Sequence, residues 1–293
     1  MAEPTTFYNR AEKREQTELI LGDKMLRLAY STPARHVLSW PLFGTALCSR
    51  LLGWYANRSF SKGRIGRTIE ELQMDMSDYV IPEGGFRCFN EFFARKLKPR
   101  ARPFAPEGLC SPADCRLLLY PKLDDGLCIP VKGAQFTVAE LLDDEQTAQH
   151  FKGGTLCVFR LCPSDYHRYH FPDDGRLLKS WNLPGKYHSV HPIALEQRIK
   201  VFTTNVRMVS LLELAHFGQA AFIEVGAFGV GSINQTFTGT DFKRGDEKGY
   251  FTFGGSTIIM LFEPGRITLD DDIREHSAKG MECLVKAGEH IGF

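Results

Sequence analysis

An α+β fold is predicted for this chain. N-terminal amphipathic helices should lead into a β-rich, mostly antiparallel, sandwich- or barrel-like domain. Two features of the sequence predict it. Up to about residue 80, apolar residues recur at helical spacing among charges. From about residue 109, short apolar or alternating runs are separated by turn residues. With 293 residues, 43% of them hydrophobic, the chain can bury a substantial core. The expected division is a helical region over 1–80 and a β-rich domain over 81–293.

In order, residues 8–30 read as a helix, with Leu19, Ile20, Met25, Leu26 and Leu28 among charges. Residues 34–57 read as a second helix, broken or kinked at Pro41, with Val37, Trp40, Leu47, Leu51 and Trp54 roughly on one face. The segment 58-RSFSKGRIGR-67 follows, with Arg58, Lys62, Arg64 and Arg67 and no acid. A Trp-bearing apolar helix beside a basic stretch suits either an anionic membrane surface or the protein's own core. A short acidic helix is expected over 68–79, and another over 86–104, ended by Pro99. Strand-like runs then begin at Cys115, Leu127, Thr155, Arg176, Ile199, Ala220, Phe228 and Phe251. Turns are expected at Asp124-Asp125-Gly126 and Asp173-Asp174-Gly175.

Composition removes several functions. A formal net charge of +1 and the lack of a basic block give no electrostatic footprint for nucleic acid. No apolar run reaches the roughly 20 residues that span a bilayer. The polar N-terminus resembles neither a secretory signal nor a transit peptide. Eight cysteines contain no C-x-x-C pair. Cys110/Cys115 and Cys157/Cys162 could in principle supply four zinc ligands. On strands, however, that spacing puts paired thiols on opposite faces, so no metal is expected. Reduced, buried thiols in a cytosolic compartment fit better.

Three polar spots sit in the β-rich part. The stretch 250-YFTFGGSTIIMLFEPG-265 interrupts its strand pattern with Gly254-Gly255-Ser256. That is either a hairpin turn or a place where the backbone itself is attacked. The stretch 163-PSDYHRYHFPDDG-175 carries His167 and His170 in what its Pro and Asp-Asp-Gly mark as a loop. Asp114 follows a Ser-Pro turn in 111-SPADCRL-117. Asp114, His170 and Ser256 are the parts of an Asp–His–Ser relay, in which the imidazole takes the serine proton and the carboxylate stabilises the imidazolium. The G-x-S-x-G elbow of common hydrolases is missing.

The pieces FNEFFARKLKPRARP, SPADC, PSDYHRYHFPDDG, SVHPIALEQR and KGYFTFGGSTIIMLFEPG resemble, in this order, the phosphatidylserine decarboxylase family. The resemblance implies self-cleavage at Gly255-Ser256, with Ser256 converted to a covalent pyruvoyl group. It implies His170, oriented by Asp114, as the base for that step, and His167 near the substrate. The pyruvoyl ketone would form a Schiff base with phosphatidylserine and accept electrons as CO₂ leaves, giving phosphatidylethanolamine. It further implies two chains that stay together, a homodimer, and peripheral attachment to the cytoplasmic face of a membrane rich in anionic lipid. Three positions depart from the family pattern: Cys115 replaces a Gly, His191 an Asn, and Val206 a Glu. The rival readings are an uncleaved Ser–His–Asp lipid hydrolase, a pyruvoyl decarboxylase of free amino acids, and a non-enzymatic membrane scaffold.

Overall fold

The computed structural model describes residues 5–19, 46–123, 129–131, 134–186, 201–226, 233–253 and 256–293. In chain order these begin with strands β1 (Thr6–Asn9) and β2 (Arg14–Thr17) and helices α1 (Ala46–Ala56), α2 (Ile65–Glu71) and α3 (Phe89–Phe93). Strands β3 (Leu109–Cys110), β4 (Cys115–Tyr120), β5 (Ile129–Val131) and β6 (Ala134–Phe136) precede helices α4 (Val138–Leu142) and α5 (Glu145–Gln149). Then come β7 (Thr155–Leu161), β8 (Arg168–His170), β9 (Gly175–Leu183), the helical turn α6 (Val201–Thr204), β10 (Arg207–Leu214) and β11 (Gly218–Gly226). The chain continues with β12 (Ile233–Gln235), β13 (Asp241–Phe242), β14 (Glu247–Phe251), β15 (Ser256–Phe262), helix α7 (Asp271–Ala278), β16 (Glu282–Val285) and β17 (His290–Gly292).

Ten strands form one sheet in the order β13-β9-β10-β11-β15-β7-β4-β16-β1-β2. Its pairs are antiparallel except β1 with β16. The β-rich, mostly antiparallel character is therefore as expected, but the sheet keeps two ends and does not close into a barrel. Both faces are buried, which explains why β15 reads as an unbroken apolar run. Ile258, Met260 and Phe262 point to one core, with Phe159, Phe222, Tyr169 and Phe251. Ile259 and Leu261 point to the other, beneath Val138, Leu141, Leu142 and Phe151 of the α4–α5 segment. The small sheet β12-β14-β8 covers the first face and carries the two histidines of the sequence motif or their neighbours.

The N-terminal helices need correction. Residues 8–17, expected to open a helix over 8–30, belong instead to the β1–β2 hairpin, Thr6–Thr17. Tertiary pairing overrides helical spacing here: β1 joins β16, and Arg10 is held by Asp270 (2.7 Å), Asp272 (2.7 Å) and Glu289 (2.8 Å). The expected region 1–80 thus begins in the large sheet. Residues 20–45, with Pro41, lie outside the described residues. Of 34–57, Ala46–Ala56 is helical. The helix expected over 68–79 runs instead over Ile65–Glu71 and stops before Gln73, which is left-handed (φ 50°). That expected over 86–104 shrinks to Phe89–Phe93, because Arg95 turns inward to the Ser164 (2.6 Å) and Asp165 (2.8 Å) carbonyls. Residues 201–204 are helical where a strand was expected, and Arg168–His170 is a strand where a loop was expected. The turn at Asp124-Asp125-Gly126 lies outside the described residues.

A buried ion cluster ties the hairpin to the sheet. Arg160 on β7 bonds Glu18 (2.9 Å) and Glu282 of β16 (2.5 Å). Burial pushes the Glu18 carboxyl up, but the charge and hydrogen bonds of Arg160 outweigh it and set it at about 2, against an ordinary 4.5. The folded value is the lower one, so the stabilisation is complete above about 4.5 and disappears as pH falls towards about 2. It is on the order of 3 kcal/mol. The expected result is that wild type melts above Glu18→Gln at neutral pH, and that the gap closes as pH drops through this window. A gap that is independent of pH would show that the carboxylate charge does not matter.

Candidate active site

Ser256 is the first residue of β15, opposite Gly226 of β11 and Leu161 of β7. Strand alternation places its side chain on the face of Ile258 and Met260, towards the β12-β14-β8 layer. It is completely buried. His167, one residue before β8 and equally buried, brings Nδ1 to 3.4 Å from the serine Oγ. Its backbone carbonyl accepts the Phe251 N–H (2.9 Å), fixing the end of β14. Its ring stacks on Phe93 of α3 at 3.8 Å and 23°. Among the described residues its Nε2 has no hydrogen-bond partner. Burial, reinforced by the charge of Arg95, holds the His167 imidazole well below its usual range, so it is neutral at pH 7.

His170 ends β8. Its Nδ1 lies 2.9 Å from the Gly245 carbonyl, and its Nε2 lies 3.2 Å from the Tyr166 hydroxyl. A carbonyl only accepts, so Nδ1 carries the proton and Nε2 is the basic atom. Gly245 is left-handed (φ +86°), and a Cβ there would stand 3.1 Å from the Phe104 ring, so the position calls for glycine. Burial lowers the His170 value. The Gly245 bond and the charges of Glu247 and Asp114 favour the imidazolium and partly offset it.

Asp114 lies in the turn before β4, fully buried. It accepts from Arg102 Nε (3.0 Å) and Nη2 (2.8 Å) and from the Ala287 N–H (2.9 Å), with Lys286 Nζ at 3.6 Å. Burial pushes the carboxyl up, but the Arg102 bonds and the Lys286 charge outweigh it and hold it below the usual carboxylate range. Its link to His170 runs through the backbone: the His170 N–H donates to the Pro112 carbonyl (2.9 Å). The structure thus brings His167 to Ser256. Among the described residues, no hydrogen bond joins Asp114 to His170 or either of them to Ser256. Gly255 and His191 lie outside the described residues.

The chain aligns at 41% identity over 288 residues with the phosphatidylserine decarboxylase proenzyme of Clostridium novyi (strain NT), covering 97% of this chain and 98% of that one. The Desulfitobacterium hafniense (strain Y51) proenzyme is 41% identical, covering 98% and 97%. That of Clostridium botulinum (strain Langeland) is 42% identical, covering 98% of each. The family model described as phosphatidylserine decarboxylase matches residues 89–293. The chain belongs to the phosphatidylserine decarboxylase family.

Two of the departures from the family pattern can now be placed. Cys115 is buried at the start of β4 with its thiol towards Ser111 Oγ (3.9 Å), and burial raises its pKa well above the ordinary value. Val206 is half-buried between Asn205, whose amide donates to the Gly226 carbonyl (2.8 Å), and Arg207, which donates to the Leu141 (2.8 Å) and Glu140 (2.9 Å) carbonyls. Sequence reading also missed a buried polar group on the Ser256 face: Lys248 Nζ donates to Glu224 (2.5 Å) and Gln235 (3.0 Å). Its one available signal was a lysine inside the strand-like run before Phe251. Arg102 was missed as well, because nothing local distinguishes it from Arg100. Among the described residues, no three His, Cys, Asp or Glu side chains gather as metal ligands.

Proposed function

We propose that the chain is a carboxy-lyase that makes its own pyruvoyl group from Ser256 and decarboxylates phosphatidylserine to phosphatidylethanolamine. The observation that carries this is a buried serine hydroxyl beside a neutral imidazole, directly after Gly254-Gly255, in a family whose relatives are named proenzymes. Ser256 Oγ attacks the Gly255 carbonyl, and the amide becomes an ester with a free amine at residue 256. Loss of the Cα proton and of the Gly255 carboxylate leaves dehydroalanine. Its tautomer takes up water and releases ammonia, leaving the ketone. His167 faces residue 256 through Nδ1 (3.4 Å), and its buried Nε2 has no partner among the described residues, so the imidazole has polar atoms to spare and the residues fit the group. When formed, the group supplies an electron sink for loss of CO₂.

The two histidines suit different steps. A maturation base must become imidazolium. Burial disfavours that charge at both, but at His170 the Gly245 carbonyl, Glu247 and Asp114 favour it against Arg168, whereas at His167 nothing offsets burial and Arg95 adds to it. His170, with Asp114, is therefore assigned to maturation. His167 stays beside residue 256 and is assigned to turnover, binding the substrate carboxylate near the Arg95 charge or moving the proton that replaces CO₂. The expected result is that His170→Ala stays whole, while His167→Ala matures and loses about 10²-fold or more in decarboxylation. If His167→Ala fails to mature, the 3.4 Å contact marks the maturation base and the assignment is wrong.

The chains 1–255 and 256–293 should remain together, because β15 lies between β11 and β7 and β16 between β4 and β1. The substrate is a membrane lipid, and the described surface offers a place to meet it. Ala56 packs inward against Phe89, Phe92 and Phe93, while Leu51, Trp54 and Phe60 are exposed in the same segment as the exposed Arg58, Lys62, Arg64 and Arg67, with Arg58 over the Trp54 ring. An apolar ridge with a basic rim fits the headgroup region of an anionic bilayer. No helix among the described residues is long and apolar enough to cross a membrane. Peripheral attachment on the cytoplasmic face, as a homodimer, completes the proposal. Intact mass under denaturing conditions, with CO₂ release from phosphatidylserine vesicles, tests it. Two chains and CO₂ are expected. One active 33.1 kDa chain that hydrolyses lipid esters would instead make it an Asp–His–Ser hydrolase.

A further inference from the structure

We infer that Asn90 is a positioning residue for the cleavage at Gly255-Ser256; the inference rests on the self-cleavage proposed above. Asn90 sits in α3 and is 5% exposed. Its Oδ1 accepts the backbone N–H of Phe253 at 2.8 Å. A backbone N–H only donates, so the amide orientation is fixed. Its Nδ2 donates to Asn57 Oδ1 at 3.0 Å, so both ends of the side chain are held. The same helix grips the Phe253 ring edge-on through Phe89 (4.8 Å) and Phe93 (5.4 Å). Phe93 also stacks on His167, the imidazole beside Ser256.

The chain is therefore anchored on both sides of the bond to be cut. Ser256 is fixed by its register with Gly226 and Leu161. Phe253 is fixed by α3. Only Gly254 and Gly255 lie between them, and glycine supplies no conformational stiffness of its own. Attack on a backbone carbonyl demands that the reacting atoms meet at about 3–3.5 Å, and a displacement of about 1 Å can cost about 10²-fold in rate. With two glycines at the reaction point, that precision has to come from the anchors. A side chain that reaches from a helix to the Phe253 amide, rather than a ladder bond between strands, supplies the one on the N-terminal side.

The test compares Asn90→Leu, which keeps the size and removes both bonds, with Asn90→Asp, which keeps the acceptor for the Phe253 N–H. Maturation is followed by intact mass after pulsed cell-free synthesis. Turnover is measured on the matured fraction, and melting in a Ser256→Ala background, where cleavage cannot intervene. Asn90→Leu is expected to mature about tenfold or more slowly, Asn90→Asp within about threefold of wild type, and turnover of matured chains to stay within about twofold. Maturation of Asn90→Leu at the wild-type rate would overturn the inference. So would equal slowing in both variants, or slowing that only tracks a lowered melting temperature in the Ser256→Ala pair. Wild type that stays whole would instead sink the self-cleavage reading and is seen separately in the same experiment.

Discussion

Ser256→Ala should run as a single 33.1 kDa chain, release no CO₂ from phosphatidylserine, and fold as well as the wild type. Among the described residues the hydroxyl makes one hydrogen bond, a long one of 3.4 Å, so its removal costs little stability. Alanine fills a buried strand position without a cavity of consequence, and the register with Gly226 and Leu161 depends on backbone bonds alone. Chemistry, by contrast, loses everything, because Ser256 supplies both the attacking Oγ and the Cα and Cβ carbons that become the ketone and its methyl group. Wild type should give chains 1–255 and 256–293 under denaturing conditions only. A Ser256→Ala protein that still divides at this bond would mean that another group attacks Gly255, and the proposed mechanism would fail.

Arg160→Met should lower the melting temperature by about 10 °C, corresponding to roughly 3–5 kcal/mol. The guanidinium is buried between Glu18 and Glu282, both themselves buried, and Cys162 Sγ lies 3.2 Å away. Methionine matches its stem but leaves two buried carboxylates without their shared cation, and the cost is that of uncompensated buried charge. Arg176→Met provides the comparison. Its pair with Glu213 is about half exposed on both sides and should be worth no more than about 1 kcal/mol. Similar melting for the two variants would refute the weight placed on burial. Because Arg160 also joins β7 to β16, the matured enzyme should suffer more than the uncleaved Ser256→Ala form, which still has the covalent link.

The strands were legible because they are buried on both faces or alternate. Leu156–Phe159 and Ile258–Phe262 are short, wholly apolar runs inside β7 and β15, too short to build a helix. The N-terminal segment was misread for the opposite reason. Residues 6–17 hold few apolar positions, and their strand state comes from pairing with Glu282–Leu284, more than 260 residues away, and from the acids around Arg10. Local spacing carries no record of such partners. Similarly, 86–104 has helical spacing, but Arg95 is drawn inward by the Ser164 and Asp165 carbonyls and the helix stops at Phe93.

For the site, sequence by itself determined the inventory: a Gly-Gly-Ser in a strand, two histidines three apart, an aspartate after a Ser-Pro turn, and the order that marks the family. These are properties of residue type and spacing, and they survive without coordinates. Only the tertiary structure decided which groups touch. It set His167, not His170, against the Ser256 hydroxyl and gave Asp114 to Arg102 and Ala287. It fixed the His170 tautomer through Gly245 and put Asn90 on the Phe253 amide. Hydrogen bonds of this kind depend on distances of a few tenths of an ångström between segments far apart in the chain. Packing of the two sheets sets those distances, and no local pattern encodes them.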